Sequence, residues 1–212
     1  MIQISFFTFG PFEENTYILH DETKQCVIID PGCCDDSERK ELTSFIENNN
    51  LKPVKILNTH CHIDHVLGNK FVAEKYQLKL EINKLDLPVL QALQIVAKNY
   101  GIPAEASPAP SSFIGEGDII QFGKSEMEIL FTPGHSPGSI CFVNKKQKIV
   151  ISGDVLFSGS IGRTDLPGGN HTTLISSIKT KLFPLGDDFE VFPGHGPSTK
   201  IGFEKQNNPF LV

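Results

Sequence analysis

The sequence predicts an α/β fold, because predicted strands and helices alternate in both halves of the chain. The strands are short runs rich in β-branched and aromatic residues, and the helices show apolar residues at three- and four-residue spacing. Of the 212 residues, 39% are hydrophobic and 21% are charged, a composition typical of a globular protein with an ordinary core.

The first half contains five predicted strands and three predicted helices. The strands cover residues 2–9, 16–20, 25–30, 54–58 and 78–82, and the helices cover about 36–50, 71–76 and 87–99. Asp35 or Asp36 is a suitable cap for the first helix, which carries Leu42 and Phe45 on one face. Pro88 near the start of the third helix is tolerated there, since the first turn has no hydrogen-bonded N–H to lose.

The second half begins after a Pro- and Ala-rich loop and is dominated by short strands. The strands cover residues 119–122, 127–131, 139–143, 148–151 and 190–192, and one helix covers 172–182. The resulting order of strands followed by a helix resembles that of the first half. This repetition concerns the architecture alone, since no residue-level repeat is visible.

Charge and cysteine content limit the partners and the compartment. The net charge is −6 and no run of basic residues occurs, so we expect no nucleic-acid partner. No segment approaches the roughly 20 apolar residues of a membrane-spanning helix, so we expect no membrane partner. The five cysteines form no CxxC pair, and the N-terminus MIQISFFTFG lacks signal-peptide features. We therefore expect reduced thiols and a cytoplasmic location; the sequence leaves the oligomeric state open.

Three histidines and an aspartate lie within the six residues HCHIDH at positions 60–65. His60, His62, Asp64 and His65 follow a predicted strand and precede a helix, where α/β proteins place their sites. So many potential ligands in one loop favour binding of a cation, because without one they would crowd each other.

Three further polar residues follow predicted strands and are flanked by glycine or proline: His135, Asp154 and His195. With the first segment they supply five histidines and two carboxylates, enough for two divalent cations. Imidazole and carboxylate ligands favour zinc, with iron or manganese as alternatives. Cys61 is not expected to be a ligand, and for His20 and His171 an ordinary loop position is the alternative to a role in the site.

The segment HCHIDH resembles the HxHxDH signature of the metallo-β-lactamase superfamily, and the later motifs occur in the matching order. The resemblance extends from the DPG turn at residues 30–32 to the NPF segment at 208–210. It implies an αβ/βα sandwich, in which two mixed β-sheets are flanked by helices. Residues 1–212 are accordingly expected to form a single domain with metals at one edge.

The resemblance also implies a role for each candidate residue. His60, His62 and His135 would bind a first metal, and Asp64, His65 and His195 a second. Asp154 and a hydroxide would bridge the two metals. Asp30 would support a ligand histidine from behind.

Within the superfamily, the chain most resembles the short, single-domain members of the glyoxalase II group. Asp154 stands where common zinc β-lactamases carry cysteine, and His62 stands where flavo-diiron proteins carry glutamate. The SIGRTD segment at 160–165 places Arg163 where the group holds a basic residue for the glutathione carboxylate. A plain surface arginine is the alternative. No aromatic residue lies near Asp165, where the group has one, and we expect the C-terminal helical domain typical of the group to be missing.

The resemblance implies a metal-dependent hydrolase that cleaves a small-molecule thioester such as S-lactoylglutathione. The hydroxide would attack the carbonyl carbon, and Asp64 would act as the catalytic residue that orients it. Two alternatives remain: a mononuclear-iron persulfide dioxygenase, which shares the GRTD stretch, and a metal-binding protein without catalysis. Residues 85–110 either shape the substrate pocket or form a plain packing helix.

Overall fold

Two six-stranded mixed β-sheets form the centre of the protein, for which a computed structural model describes residues 1–212. In the first sheet the spatial order follows the chain: β1 (Gln3–Phe9), β2 (Glu14–His20), β3 (Gln25–Ile29), β4 (Lys52–Leu57), β5 (Leu80–Ile82) and β6 (Ser112–Phe113). The first three strands pair antiparallel, and β3 to β6 pair parallel. The carboxyl ends of the parallel strands β3 to β6 therefore meet at one edge of the sheet.

The second sheet is built from the other half of the chain, in the spatial order β14-β13-β10-β9-β8-β7. Its strands are β7 (Ile119–Phe122), β8 (Ser125–Phe131), β9 (Ile140–Asn144), β10 (Ile149–Gly153), β13 (Glu190–Pro193) and β14 (Thr199–Lys200). Only β10 and β13 pair parallel. Between them in sequence, β11 (Leu156–Phe157) and β12 (Ser160–Ile161) form a separate hairpin.

Seven α-helices cover the outer faces of the two sheets. They are α1 (Asp36–Asn48), α2 (Ile63–Val66), α3 (Asn69–Tyr76), α4 (Leu87–Gln91), α5 (Leu93–Tyr100), α6 (His171–Ser177) and α7 (Ile201–Asn207). Short 3₁₀ turns lie at Lys84–Asp86 and Phe183–Leu185, and one turn of π-helix lies at Ile178–Leu182. None of the helices combines the length and apolar character needed to cross a bilayer.

Alternation of side chains along each strand produces three apolar layers. In β2, Ile18 packs towards the helices α1 to α5, whereas Tyr17 and Leu19 pack between the sheets. In the second sheet, Ile129 faces the first sheet and Leu130 packs against α6 and α7. The layers are therefore helix, sheet, sheet and helix, which confirms the expected αβ/βα sandwich with two mixed sheets.

The structure changes the bounds of several predicted elements. The predicted helix at 87–99 divides at Ala92, whose N–H is shared between the carbonyls of Pro88 and Val89, so the turn tightens there. The predicted helix at 172–182 is α-helical to Ser177 and then widens into the π turn. Asp35 caps α1 by accepting a hydrogen bond from the Glu38 N–H. The structure therefore selects Asp35 from the two predicted caps, Asp35 and Asp36. All five cysteines are unpaired.

Candidate metal centre

Five of the seven candidate ligands lie on loops that follow strands, whereas Asp64 and His65 lie in the short helix α2, which begins directly after His62. The segment 60–65 comes after β4, His135 after β8, Asp154 directly after β10, and His195 after β13. The two sheets bring these loops together at one edge of the sandwich. The strand-end positions predicted from the sequence are confirmed, although the metal-binding role itself remains a proposal.

Three histidines form the first group. Nε2 of His135 lies 2.8 Å from Nδ1 of His62 and 3.1 Å from Nε2 of His60. His60 and His135 are buried, and His62 is half-buried. Three ring nitrogens at this separation can surround one cation.

A second group combines a carboxylate with two histidines. Oδ2 of Asp64 lies 3.1 Å from Nε2 of His195 and 3.7 Å from Nε2 of His65. His65 is fully buried, whereas Asp64 and His195 are half-buried. This group can surround a second cation beside the first.

Asp154 lies between the two groups. Its Oδ2 is 3.5 Å from Nε2 of His135 in the first group and 3.5 Å from Nε2 of His195 in the second. Its Oδ1 is 3.4 Å from Nε2 of His65. One carboxylate therefore faces both groups, which is the geometry required of a bridging ligand.

Two orphaned atoms show that the residues fit a cation. Nε2 of His65 and Oδ1 of Asp154 are buried without a hydrogen-bond partner. A buried polar atom without a partner is costly, and both atoms point towards the other candidate ligands. Divalent cations between these groups would satisfy them.

A second layer of contacts orients three histidine rings. Nδ1 of His135 lies 2.7 Å from the carbonyl oxygen of Arg163, and Nδ1 of His195 lies 3.2 Å from that of Glu13. Since carbonyls only accept, each Nδ1 carries the proton and leaves Nε2 free for a cation. Nδ1 of His65 lies 3.1 Å from Oδ2 of Asp30, the supporting position expected for Asp30.

The two groups differ in electrostatics. Burial, together with the neighbouring histidines, holds the pKa of His60 well below its usual range and lowers the pKa of His62 to about 3. Burial would also lower the pKa of His65, but Asp64 and Asp154 outweigh it and raise the pKa well above its usual range. In the same way, hydrogen bonds to Asp154 and Asp64 overcome burial and raise the pKa of His195 to about 10. His60 and His62 are thus neutral and ready for a cation, whereas protons compete with a cation at His65 and His195.

Asp86 joins two of the ligand loops, and sequence reasoning missed it. Its fully buried carboxylate accepts hydrogen bonds from the Cys61 N–H at 2.7 Å, the Ser136 hydroxyl at 2.6 Å and the Gly138 N–H at 2.5 Å. Asp86 therefore fixes the HCHIDH segment relative to the His135 loop. No motif marks this residue, so no local signal could have identified it.

Asn15 has a comparable role at the His195 loop. Its side-chain amide donates to the carbonyls of Pro193 and Gly196, on either side of His195. His20 and His171 lie at the end of β2 and the start of α6, outside both groups. Cys61 is buried with its side chain in the apolar layer behind the loop, and no group of candidate ligands includes it.

A cavity of about 650 Å³ opens beside the cluster. Five candidate ligands reach it: His62, Asp64, His135, Asp154 and His195. Of the region 85–110, residues between Leu85 and Tyr100 line the cavity and none from 101 to 110 does, so the expectation that the region shapes the pocket is met in its first part only. Arg163 also lines the cavity, where its guanidinium pairs with both carboxylate oxygens of Asp165 at 2.7 and 2.8 Å.

The sandwich and its histidine- and aspartate-lined edge define the class of an αβ/βα metalloprotein. The sequence matches the family profile described as the Metallo-beta-lactamase superfamily over residues 9–195. It is also 40% identical to hydroxyacylglutathione hydrolase GloC of Haemophilus influenzae over 94% of this chain and 93% of that protein. A probable metallo-hydrolase of Bacillus subtilis, YqgX, is 40% identical over 95% of this chain and 94% of that one. The chain belongs to the metallo-β-lactamase superfamily, and its relatives place it among the metallo-hydrolases.

Solved structures share the fold over nearly the whole chain. The BLEG-1 B3 metallo-beta-lactamase has a TM-score of 0.90 and 35% identity, covering 99% of this chain and 100% of that one. TTHA1623 in a di-iron-bound form has a TM-score of 0.88 and 37% identity. The match covers 98% of this chain and 100% of that one. ETHE1 from Myxococcus xanthus is more distant, with a TM-score of 0.80 and 25% identity. The match covers 98% of this chain and 83% of that one.

Proposed function

We propose that this protein hydrolyses thioesters of small molecules with two divalent metal ions held by the two groups of candidate ligands. The observation that carries the proposal is the position of Asp154, with Oδ2 3.5 Å from a histidine of each group and the carboxylate open to the cavity. A carboxylate shared in this way would hold two ions close enough to act on one carbonyl group.

When bound, such ions lower the pKa of a coordinated water and polarise a substrate carbonyl. The protein's own residues supply the positioning. Asp64 reaches the cavity from the second group and can accept a hydrogen bond from an attacking water, which gives it the proposed catalytic role. His62 and His135 line the cavity beside it and, with His60, would hold the ion of the first group at the cavity wall. The leaving thiol needs little protonation near neutral pH, because its pKa is only about 8.5.

Arg163 is the proposed contact for a carboxylate on the thiol part of the substrate. It lines the cavity, and a guanidinium can grip a carboxylate with two parallel hydrogen bonds. In the structure Asp165 occupies that position. A substrate carboxylate would have to replace Asp165, and both side chains are exposed enough to exchange partners, at 58% and 67%.

We propose zinc as the metal, since imidazole and carboxylate ligands suit it. Iron is the alternative supported by a comparison, because TTHA1623 was solved in a di-iron-bound form. Metal analysis of the purified protein distinguishes the two. A total near two ions per chain is expected.

The decisive experiment combines metal content with turnover. Metal-replete protein should cleave S-lactoylglutathione or another thioester, and His195→Ala should reduce both activity and metal content. His171→Ala is the matched control, since His171 is exposed and lies outside both groups. Metal-replete protein that cleaves no thioester in a broad panel would contradict the proposal, and so would a His195→Ala variant with full activity.

A persulfide dioxygenase is the second candidate, because the GRTD segment at residues 162–165 also resembles that class. Oxygen uptake with glutathione persulfide, at about one iron per chain, would support it against hydrolysis. The panel of substrates should include a β-lactam, because of the similarity to BLEG-1. Metal binding without turnover of any of these compounds would instead support the third alternative, a non-catalytic metal-binding protein.

A further inference from the structure

The cavity beside the metal cluster has two chemically different walls. One carries the candidate ligands, and the opposite one is apolar and comes from the segment that contains α4 and α5. We propose that the apolar wall receives an extended aliphatic acyl group, so that the acyl part of the substrate governs specificity more than the thiol carrier. This inference rests on the proposed thioester hydrolysis and names its substrate class.

The apolar wall is one face of the segment. Leu85, Val89, Ala92, Val96 and Tyr100 follow each other at spacings of three or four residues, and all line the cavity. Residues at these spacings share one face of a helix. No charged or amide side chain of the same segment lines the cavity. The wall is therefore a continuous apolar stripe rather than a mixture of contacts.

The stripe is only partly covered by the protein. Val89, Ala92 and Val96 are half-buried, whereas their neighbours Leu90 and Leu93 are 6% and 3% exposed. Leu90 and Leu93 belong to the apolar layer against the first sheet, whereas Val89 and Val96 pack only at the edge of that layer and keep part of their surface open to the cavity. An apolar ligand would cover it and gain the free energy of that burial.

The two ends of the stripe are exposed apolar side chains. Leu85 and Tyr100 are 55% and 53% exposed there. The ring of Phe12, from the loop between β1 and β2, meets Tyr100 edge to face at 5.4 Å between centroids. Exposed apolar side chains at the rim extend the stripe outwards, which suits a chain longer than lactoyl.

The charges of the cavity oppose a large anionic carrier. Arg163 is the only lysine or arginine in the lining, and Asp165 already neutralises it. Glutathione carries two carboxylates and one ammonium group, so one paired arginine cannot match it. The lining therefore offers more to an apolar acyl group than to the carrier.

The test compares acyl groups on one neutral carrier. Acetyl and hexanoyl thioesters of N-acetylcysteamine differ by four methylene groups and present the same leaving thiol. Complete burial of each methylene would raise kcat/KM about fourfold. Partial burial should still give at least about a tenfold preference for hexanoyl over acetyl. Equal kcat/KM values for the two thioesters would overturn the inference.

A matched pair of variants assigns the preference to the stripe. Val96→Asn places an amide in the wall and should reduce the hexanoyl-to-acetyl ratio of kcat/KM by at least about fivefold. Ile95→Asn makes the same kind of change at the adjacent position, which is 70% exposed and does not line the cavity. It should keep the wild-type ratio. An unchanged ratio in Val96→Asn contradicts the assignment.

A binding measurement separates failure of this inference from failure of the proposed function. Calorimetry should show that S-hexyl-N-acetylcysteamine, a thioether that cannot be hydrolysed, binds at least about tenfold more tightly than the S-methyl compound. This preference in a protein that cleaves no thioester would reject the proposed function but support the apolar site. Equal binding of the two thioethers would reject the apolar site, even in an active thioesterase.

Discussion

Oδ2 of Asp30 lies 3.1 Å from Nδ1 of His65, whereas Nε2 on the other side of the ring faces the candidate ligands Asp64 and Asp154. The carboxylate is itself held by the N–H of Thr59 at 2.7 Å and by the Thr59 hydroxyl at 2.5 Å. Asp30 is 1% exposed, so these contacts are shielded from water. The turn after β3 thus sets the orientation of a candidate ligand that belongs to another element, the helix α2.

We expect Asp30→Asn to weaken metal binding by about 10- to 100-fold. The amide keeps an oxygen for the Thr59 N–H but places an NH₂ group where His65 and the Thr59 hydroxyl need an acceptor. Asparagine also tolerates the left-handed backbone at this residue, where φ is 51°. Competition with a chromogenic chelator measures the affinity. Asp36→Asn, at an exposed position on α1, is the control, and wild-type affinity in Asp30→Asn would contradict the argument.

Removal of the Asp86 carboxylate should destabilise the fold. Asp86→Ala leaves three buried donors without an acceptor, on Cys61, Ser136 and Gly138, and we expect a loss of about 3 kcal/mol in the free energy of unfolding. Urea denaturation measures it.

Asp118→Ala provides the comparison for Asp86→Ala. It removes one hydrogen bond, from the exposed Gly115 N–H, and should cost less than about 1 kcal/mol. Similar losses in the two variants would show that the Asp86 carboxylate does not join the loops in the way described.

The sequence alone could locate all seven candidate ligands, because each follows a strand and is marked by a local pattern. The segment 60–65 is conspicuous by its composition, and glycine or proline flanks His135 and His195. The loops meet in the structure because strand ends converge at one edge of the sandwich. Local pattern and fold class together therefore placed these seven residues at one edge of the sandwich, and their role as metal ligands stays a prediction.

The contacts that fix the ligands could not be predicted in this way. Asp86 lies 25 residues from Cys61 and 50 from Ser136, in a 3₁₀ turn with no motif. His135 and His195 are oriented by backbone carbonyls, of Arg163 and Glu13, and a carbonyl has no sequence signature. The two-residue edge strands β6 and β14 were missed for a related reason: their pairing partners, rather than their own composition, make them strands.

Asp21 should make the stability of the fold depend on acid pH. Burial alone would raise its pKa, but hydrogen bonds from Thr23, Lys124 and Ser125 outweigh it and lower the pKa to about 2. A carboxylate with a depressed pKa stabilises the folded state above the unfolded pKa of about 4, and this contribution is lost as the pH falls towards 2. The carboxylate joins the β2–β3 turn to the β7–β8 turn, so both sheets are involved.

We expect Asp21→Asn to remove a pH-dependent contribution of about 2 kcal/mol. The difference in unfolding free energy between wild type and variant should be largest above pH 4 and should shrink by about this amount near pH 2. Urea denaturation across this range measures it, with Asp36→Asn as an exposed control. A difference that stays constant with pH would refute the assignment to Asp21.

Gly194 is required by the close approach of its backbone to the cluster. A Cβ atom at this position would lie 2.2 Å from Oδ1 of Asp154 and 2.7 Å from Cε1 of His65. The backbone cannot move away easily, because the Gly194 N–H donates to the carbonyl of Gly153 and its own carbonyl accepts from the Asn15 N–H. Any larger residue must therefore displace the candidate bridging carboxylate.

Gly194→Ala should accordingly reduce the bound metal from about two ions per chain to one or fewer, because Asp154 faces both groups. Elemental analysis gives the metal content, and circular dichroism shows whether the variant is folded. Gly115→Ala is the matched control, since its Cβ would meet only the Asn83 side chain at 3.5 Å, an ordinary contact. A folded Gly194→Ala protein with full metal content and wild-type thioester turnover would mean that Asp154 is not needed between the two groups.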